Sequence, residues 1–319
     1  MTARAAGIGI RLLAVALLML SGATRAQISS RAVRGVDVQK LADGVLGVIG
    51  YTVTPDVTTS SLSLANTATS SPGLTMTQLG GGFTFSKDTP LYLEGNAAYA
   101  RYNPSFLASD GATERAVPAN WNSFSATGGI GWDFAIADYW AVRPIFNFTL
   151  GYVASDLAIA KWWLSNNTAI DLNFLDGGKL NAYGLGGSLM LVYEKFAPEA
   201  DDNLELRVTS VELKSYDGSA AAVVGHAESN SASVWARRRV PTGWGMVWDR
   251  PLRYVFEAAH TEYFGAQREL GISRMSSVGF GLELDSSAYD IWATRWRAVV
   301  RYKFGPDVTG WALGLAISF

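Results

Sequence analysis

Chemistry needs groups that move protons, attack carbonyls or hold ions, and across these 319 residues such groups are thinly spread. Cysteine is absent, which excludes thiolate nucleophiles, disulfides and thiolate metal sites. The two histidines, His226 and His260, do not stand at a two-ligand metal spacing, so no metal site is assigned. A serine hydrolase needs Ser, His and an orienting polar group that converge in space. His226, Glu228 and Ser229 are close along the chain, but that is not convergence, and no catalytic residue is assigned. His260 shares the parity of Leu252, Tyr254 and Phe256, an apolar face. Gly80–Gly82, Gly128–Gly131 and Gly184–Gly187 lie inside strand-like patterns rather than opening a helix. They ease curvature and close packing and do not cradle a phosphate. No cofactor is implied.

The charged side chains carry more information through their spacing. In Arg295–Phe304, residues Trp296, Ala298, Val300, Tyr302 and Phe304 point one way, while Arg295, Arg297, Arg301 and Lys303 point the other. In Tyr139–Val153, Arg143 and Asn147 oppose Trp140, Val142, Phe146, Phe148, Leu150 and Tyr152. Glu94 and Asn96 oppose Leu91 and Leu93; Arg253 and Glu257 oppose Leu252, Tyr254 and Phe256; Glu283 and Asp285 share one further face. A basic group in hydrocarbon costs ~2–4 kcal/mol at the bilayer midplane, so the polar faces must meet water and the greasy ones lipid. Glu94, Arg143, Arg253, Glu257, Glu283, Arg295, Arg297, Arg301 and Lys303 are therefore candidate lumen-lining residues. They could form an anion-attracting pore lining or an internal salt-bridge network that fills the lumen; the abundance of inward acids favours the network.

These faces require extended segments that alternate with period two. The last ten residues, GWALGLAISF, set Trp311, Leu313, Leu315, Ile317 and Phe319 against Ala312, Gly314, Ala316 and Ser318. About twelve such segments are predicted: Val57–Asn66, Leu74–Ser86, Pro90–Tyr102, Trp121–Ile136, Tyr139–Val153, Leu180–Phe196, Asn203–Lys214, Glu228–Val240, Leu252–Phe264, Gly271–Asp285, Arg295–Phe304 and Gly310–Phe319. The number is even, as in single-chain bacterial barrels. Asn203–Lys214 changes phase near Thr209–Ser210, which predicts a β-bulge. Pro144 sits within a strand and must cost one ladder bond. Lys87–Thr89 and Ala137–Asp138 are tight turns, whereas Asn103–Asn120 and Ala154–Lys179 are long and polar, the alternation of periplasmic turns and outer loops. Pro241–Pro251 and Ser286–Thr294 depart from it as long turns on the periplasmic side, and Gly305–Thr309 as a short outer one.

The N-terminus has Arg4 and Arg11, then apolar Leu12–Leu20, then small residues to Ala26, the order of a secretory signal peptide. That run is far shorter than the ~20 residues a spanning helix needs. Mean hydropathy is nevertheless +0.12, and charged residues are 17% of the chain. The formal net charge of −2 gives no basis for binding nucleic acid. Val33, Val36, Leu41 and Val45 mark a short amphipathic helix over Ala32–Val45; Leu46–Val53 extends it or forms a strand.

The predicted organisation is a signal peptide (1–26), an N-terminal helical segment (27–56) and an all-β membrane protein (57–319). The last is a closed antiparallel transmembrane β-barrel of about twelve strands in the bacterial outer membrane, its partners outer-membrane lipids. With its short helix, its strand number and the AISF ending, the chain resembles the translocator barrels of autotransporters, in particular solitary ones that lack a passenger. The resemblance implies a helix threaded through the pore, bringing Asp37, Lys40 and Asp43 to the inward Arg and Glu residues. It also implies recognition of the terminal Phe319 by the barrel-assembly machinery, and a structural or transport role. A mobile periplasmic arm is the alternative for the helix. A small-solute pore, and a lipid hydrolase using His260 or His226, are the alternatives for function.

Overall fold

The computed structural model describes residues 46–54, 59–66, 73–103, 105–109, 114–118, 121–155, 179–216, 225–247, 250–270, 273–285, 295–306 and 308–318. The expected signal peptide, the expected helix over Ala32–Val45 and Phe319 lie outside the described residues. In chain order the strands are β1 (Thr59–Asn66), β2 (Gly73–Thr84), β3 (Leu91–Asn103), β4 (Ser105–Ser109), β5 (Glu114–Pro118), β6 (Trp121–Trp132), β7 (Phe134–Ala137), β8 (Trp140–Ser155), β9 (Lys179–Phe196), β10 (Asp201–Tyr216), β11 (His226–Val247), β12 (Arg250–Tyr263), β13 (Arg274–Asp285), β14 (Arg295–Gly305) and β15 (Val308–Ser318).

Thirteen of these form one sheet, and it closes: β6 pairs with β8, and β1 pairs with β15 from Thr59↔Leu315 to Asn66↔Val308. Strand β7 continues β6 against the same partner, entering in the same register and shifting by one residue between Ala135 and Ala137, so thirteen strands make twelve staves. The interruption has a local cause. Pro144 has no N–H to offer, and the ladder stops at Gly131↔Ile145 and resumes at Phe134↔Val142, on either side of Pro144. All pairings are antiparallel, and closure leaves no edge to template aggregation. Among the described residues no helix is long and apolar enough to cross a membrane; the crossing elements are strands.

Alternation sorts the two walls. On β8, Phe146, Phe148, Leu150 and Tyr152 are exposed while Arg143, Asn147 and Thr149 are buried; on β14, Trp296, Val300 and Phe304 oppose Arg297, Arg301 and Lys303. Outward charges sit near the strand ends. On β10 they are Asp202, paired with Arg238, and Glu212, paired with Lys214. Between them Leu206 and Val208 face out. Ten residues at ~3.3 Å each, tilted by about 40°, span roughly 25 Å, the height of a barrel's apolar band. Tyr139, Trp140 and Tyr193 cluster at one rim, and Tyr183–Tyr216 and Tyr302–Trp311 at the other, as aromatic girdles do. The molecule is thus an outer-membrane-type β-barrel.

Three sequence expectations change. The bulge at Thr209–Ser210 is absent: β10 pairs without a register shift to β9 and β11. Glu212 and Lys214 simply face out, past the apolar band, where charge is tolerated. Pro241–Pro251 is not a long turn, because β11 runs on to Val247 and β12 starts at Arg250. The surplus residues form an irregularity between Pro241 and Met246, with Gly243 and Gly245 at φ of 73° and 105°. The stretch Asn103–Asn120 holds the hairpin β4–β5, paired from Ser105↔Pro118 to Ser109↔Glu114.

Candidate functional site

The site is the lumen, filled from two sources. In the half nearer the rim where β1 begins and β15 ends, long ionic side chains from opposite parts of the wall meet. Register sets the first group: Arg253, Glu283 and Arg297 are direct neighbours across β12, β13 and β14. Glu283, 1% exposed, accepts from Arg297 Nε at 2.8 Å and from Arg239 Nη1 at 3.1 Å. Asp201 pairs with Arg253, with Arg239 at 3.5 Å and, more distantly, with Arg295 at 3.9 Å. One step further in, Arg301 donates twice to Glu257 Oε2, at 2.8 and 2.6 Å. Arg237, stacked over Trp235, stands 4.0 Å from the other oxygen of Glu257.

A second group crosses the barrel. Arg207 on β10 forms a bidentate pair with Glu94 on β3, at 2.7 and 2.8 Å. Three staves of wall (the β6–β7 stave, β8 and β9) lie between those strands on the shorter way round. Asn147 (2.7 Å) and Tyr92 (3.1 Å) complete the carboxylate's shell. Arg143 pairs with Asp133, donates to Thr84 and stacks 3.8 Å from the centroid of the Tyr92 ring. Buried carboxylates in such numbers demand paired cations, and these are present, although among the described residues Glu257 Oε1 and the Nε atoms of Arg237, Arg239 and Arg253 make no hydrogen bond.

In the other half, the chain itself occupies the lumen. Residues 46–50 form a helical turn that leads into 51–54, and every residue from 46 to 53 is buried. Leu46 is 0% exposed and Ile49 1%. Backbone carbonyls inside a barrel need donors, and the wall supplies them at alternate residues. Gly50 O accepts from Ser229 Oγ (3.0 Å) and Gln267 Nε2 (3.1 Å), Thr52 O from Asn96 Nδ2, and Thr54 O from Gln78 Nε2 (2.7 Å). Thr52 Oγ1 also meets Ser125 Oγ at 2.6 Å. Gln267 comes from a short 3-10 helix, Ala266–Leu270, in the β12–β13 loop. The segment is held twice more nearby: Tyr51 Oη donates to Gln267 O at 2.6 Å, and the Tyr51 ring packs edge-on against Tyr263 at the end of β12. Opposite, Gly151 leaves room for Ile49; a Cβ there would lie 2.5 Å from Ile49 Cδ1.

Of the nine candidate residues, Glu94, Arg143, Glu257, Glu283, Arg297, Arg301 and Lys303 are buried, and Arg253 and Arg295 are partly so. Arg207, Arg237, Arg239, Asp133 and Asp201 belong to the same network and were not among the candidates. For Arg237 and Arg239 the signal was present: in Trp235–Arg239 they share a parity with Trp235, and Arg238 takes the other. Ser229 does not approach His226: Ser229 points in to Gly50, while His226 points out and meets Glu212 at 2.8 Å. Among the described residues, no group of three or more His, Asp or Glu side chains is placed to hold a metal ion.

No family model matches the sequence, and no curated relative matches it. Several solved structures are similar to it. The chain is similar to the beta domain of the Bordetella autotransporter BrkA, at 14% identity and a TM-score of 0.44, over 82% of this chain and 97% of that one. It is similar to the transport unit of the autotransporter AIDA-I from Escherichia coli, at 13% identity and a TM-score of 0.44, over 87% and 99%. It is likewise similar to the translocator domain of the autotransporter NalP from Neisseria meningitidis, at 9% identity and a TM-score of 0.45, over 82% and 86%.

Proposed function

We propose that this protein is a plugged outer-membrane barrel of the translocator type, whose resting state is closed to solutes. The observation that carries the reading is the hold on residues 50–54: three alternate carbonyls are each met by a wall side chain. A segment tethered through its backbone to β2, β3, β11 and the β12–β13 loop is a resident of the lumen. The ionic half supports the same reading. Its inward cations (Arg143, Arg207, Arg237, Arg239, Arg253, Arg295, Arg297, Arg301, Lys303) are nearly matched by carboxylates (Glu94, Asp133, Glu194, Asp201, Glu205, Glu257, Glu283, Asp285). A balanced, cross-linked interior rigidifies a wall and selects weakly for anions. In this reading residues 27–56 are the pore segment, and the strand ending at Phe319 is what the barrel-assembly machinery engages.

Planar-bilayer conductance tests it. The refolded chain should give small, infrequent openings, and removal of Gln27–Pro55 should give steady, larger ones. Steady large openings with the segment in place would overturn the closed state and make the protein a small-solute pore.

A further inference from the structure

The outward wall of a barrel should be apolar through the bilayer and aromatic at its borders. On β12 and β13 it carries something else at the rim away from the chain ends. His260 and Ser276 are directly paired across the two strands, and Glu262 and Arg274 form the next pair on the same face. His260 Nδ1 lies 2.8 Å from Ser276 Oγ, and His260 Nε2 lies 3.1 Å from Glu262 Oε1. The His260 and Glu262 side chains are 42% and 40% exposed. In this arrangement one ring nitrogen accepts from the serine hydroxyl and the other donates to a carboxylate, which fixes the tautomer a general base requires.

Height matters as much as contacts. Ser276 pairs with Phe304, and Phe304 stacks on Tyr302, which packs against Trp311. The trio therefore stands at the aromatic girdle, the level at which head groups meet acyl chains. That is where the ester bonds of membrane lipids lie. Below it the wall returns to Val278 and Phe280, both exposed and apolar, a surface for an acyl chain to lie along. Arg274, beside the trio and exposed, is suited to a lipid phosphate.

We propose that Ser276, His260 and Glu262 form an acyl-ester hydrolase site on the outer wall of the barrel, acting on ester-linked acyl chains of membrane lipid. Ser276 Oγ attacks the ester carbonyl as its proton passes to His260 Nδ1, and the carbonyl π electrons move to oxygen. Collapse breaks the bond to the alkoxy oxygen, which leaves as the alcohol with the proton from His260. A water molecule, deprotonated by His260, then attacks the acyl-serine and releases the fatty acid and free Ser276. Ester and water give acid and alcohol, and nothing is oxidised. Ser276 and His260 are the catalytic residues; Glu262 is a positioning residue that holds the imidazole and stabilises its charged form.

The test uses the full chain in detergent micelles and in vesicles, with p-nitrophenyl acyl esters, diacyl phosphatidylethanolamine and lipid A as separate substrates. A fluorophosphonate label read by mass spectrometry serves as a second readout. Heat-modifiable gel migration verifies that each variant is folded. The expected result is hydrolysis above the protein-free rate and labelling confined to Ser276. Both should fall by about 100-fold or more in Ser276→Ala and His260→Ala. Glu262→Gln should lower the rate less and shift the pH profile, while Arg274→Ala should affect only the phosphorylated lipids. Folded protein that hydrolyses nothing above background overturns the proposal, and so does a Ser276→Ala variant with the unaltered rate. The two lipid substrates distinguish glycerophospholipid from lipopolysaccharide as the source of the ester. The site is independent of the lumen, so neither result depends on whether the plug is closed.

Discussion

Replacing Glu94 by Gln tests whether the lumen is desolvated, because the change preserves shape and removes one charge. In the native barrel Glu94 accepts two bonds from Arg207 and further bonds from Asn147 and Tyr92, and both charged residues are buried. After Glu94→Gln, the Arg207 guanidinium keeps its neutral acceptors, Ser188 Oγ at 2.8 Å and Thr209 Oγ1 at 3.1 Å, but no carboxylate. Removing one partner of a buried ion pair costs about 3–5 kcal/mol. With a urea m-value of about 2 kcal/mol/M, the unfolding midpoint should fall by roughly 1.5–2.5 M. The assay is urea unfolding of the vesicle-inserted barrel, followed by tryptophan fluorescence and by heat-modifiable gel migration. The paired change Glu94→Leu with Arg207→Met should restore the stability to within about 1 kcal/mol, a midpoint within about 0.5 M of wild type, because burying neither charge removes the desolvation cost. A Glu94→Gln midpoint within ~0.3 M of wild type would refute the reasoning. The bridge would then be screened by bulk water, and the lumen open at that level.

Further outcomes follow from the same geometry. Gly151→Val places side-chain atoms where Ile49 packs, so it should raise bilayer conductance; adding Ile49→Ala should return it toward the wild-type level. Gln267→Ala removes donors to Gly50 O and Ser229 Oγ, at about 1 kcal/mol each, and should lengthen open times several-fold while lowering the stability by no more than about 2 kcal/mol, about 1 M in the urea midpoint. Deletion of Phe319 should reduce the amount of folded barrel in outer-membrane fractions while leaving refolding into vesicles intact; equal amounts in cells would refute recognition of the terminal aromatic.

What could be read from the sequence was whatever depends on period two. Trp296 through Phe304 and Trp311 through Leu315 announce a lipid face, because charge cannot share a face with hydrocarbon. Closure followed from the same alternation, since twelve strands with no wet outer face must bury their edges in one another. The partners inside the lumen were not legible. Arg207 meets Glu94 at a separation of 113 residues, and nothing local in either strand specifies the other. The missing bulge shows the opposite failure: polarity alone turns Glu212 and Lys214 inward, when the depth of the residue along the strand decides where charge can sit. Similarly, Ser276 drew no notice because it became interesting only once cross-strand register placed it on His260.

Register also explains why the C-terminal strand has a small inner face. Lys303 lies opposite Gly310, Arg301 opposite Ala312, Val299 opposite Gly314 and Arg297 opposite Ala316. The longest inward side chains of β14 thus stand beside the smallest of β15, and the space that Gly and Ala leave is the space the cations need to reach Glu257 and Glu283 on their other side. The greasy outer face of this strand suits lipid, and its inner face suits the packing of its neighbour. Both follow from one alternation of large and small residues, and β15 in turn closes the barrel against β1. Closure, lipid exposure and the filling of the lumen therefore converge on ten residues at the end of the chain. A bulky substitution on the inner face would compete with Arg301 for room, which is why Ala312, rather than Leu313 or Leu315, is the position where this strand has least freedom.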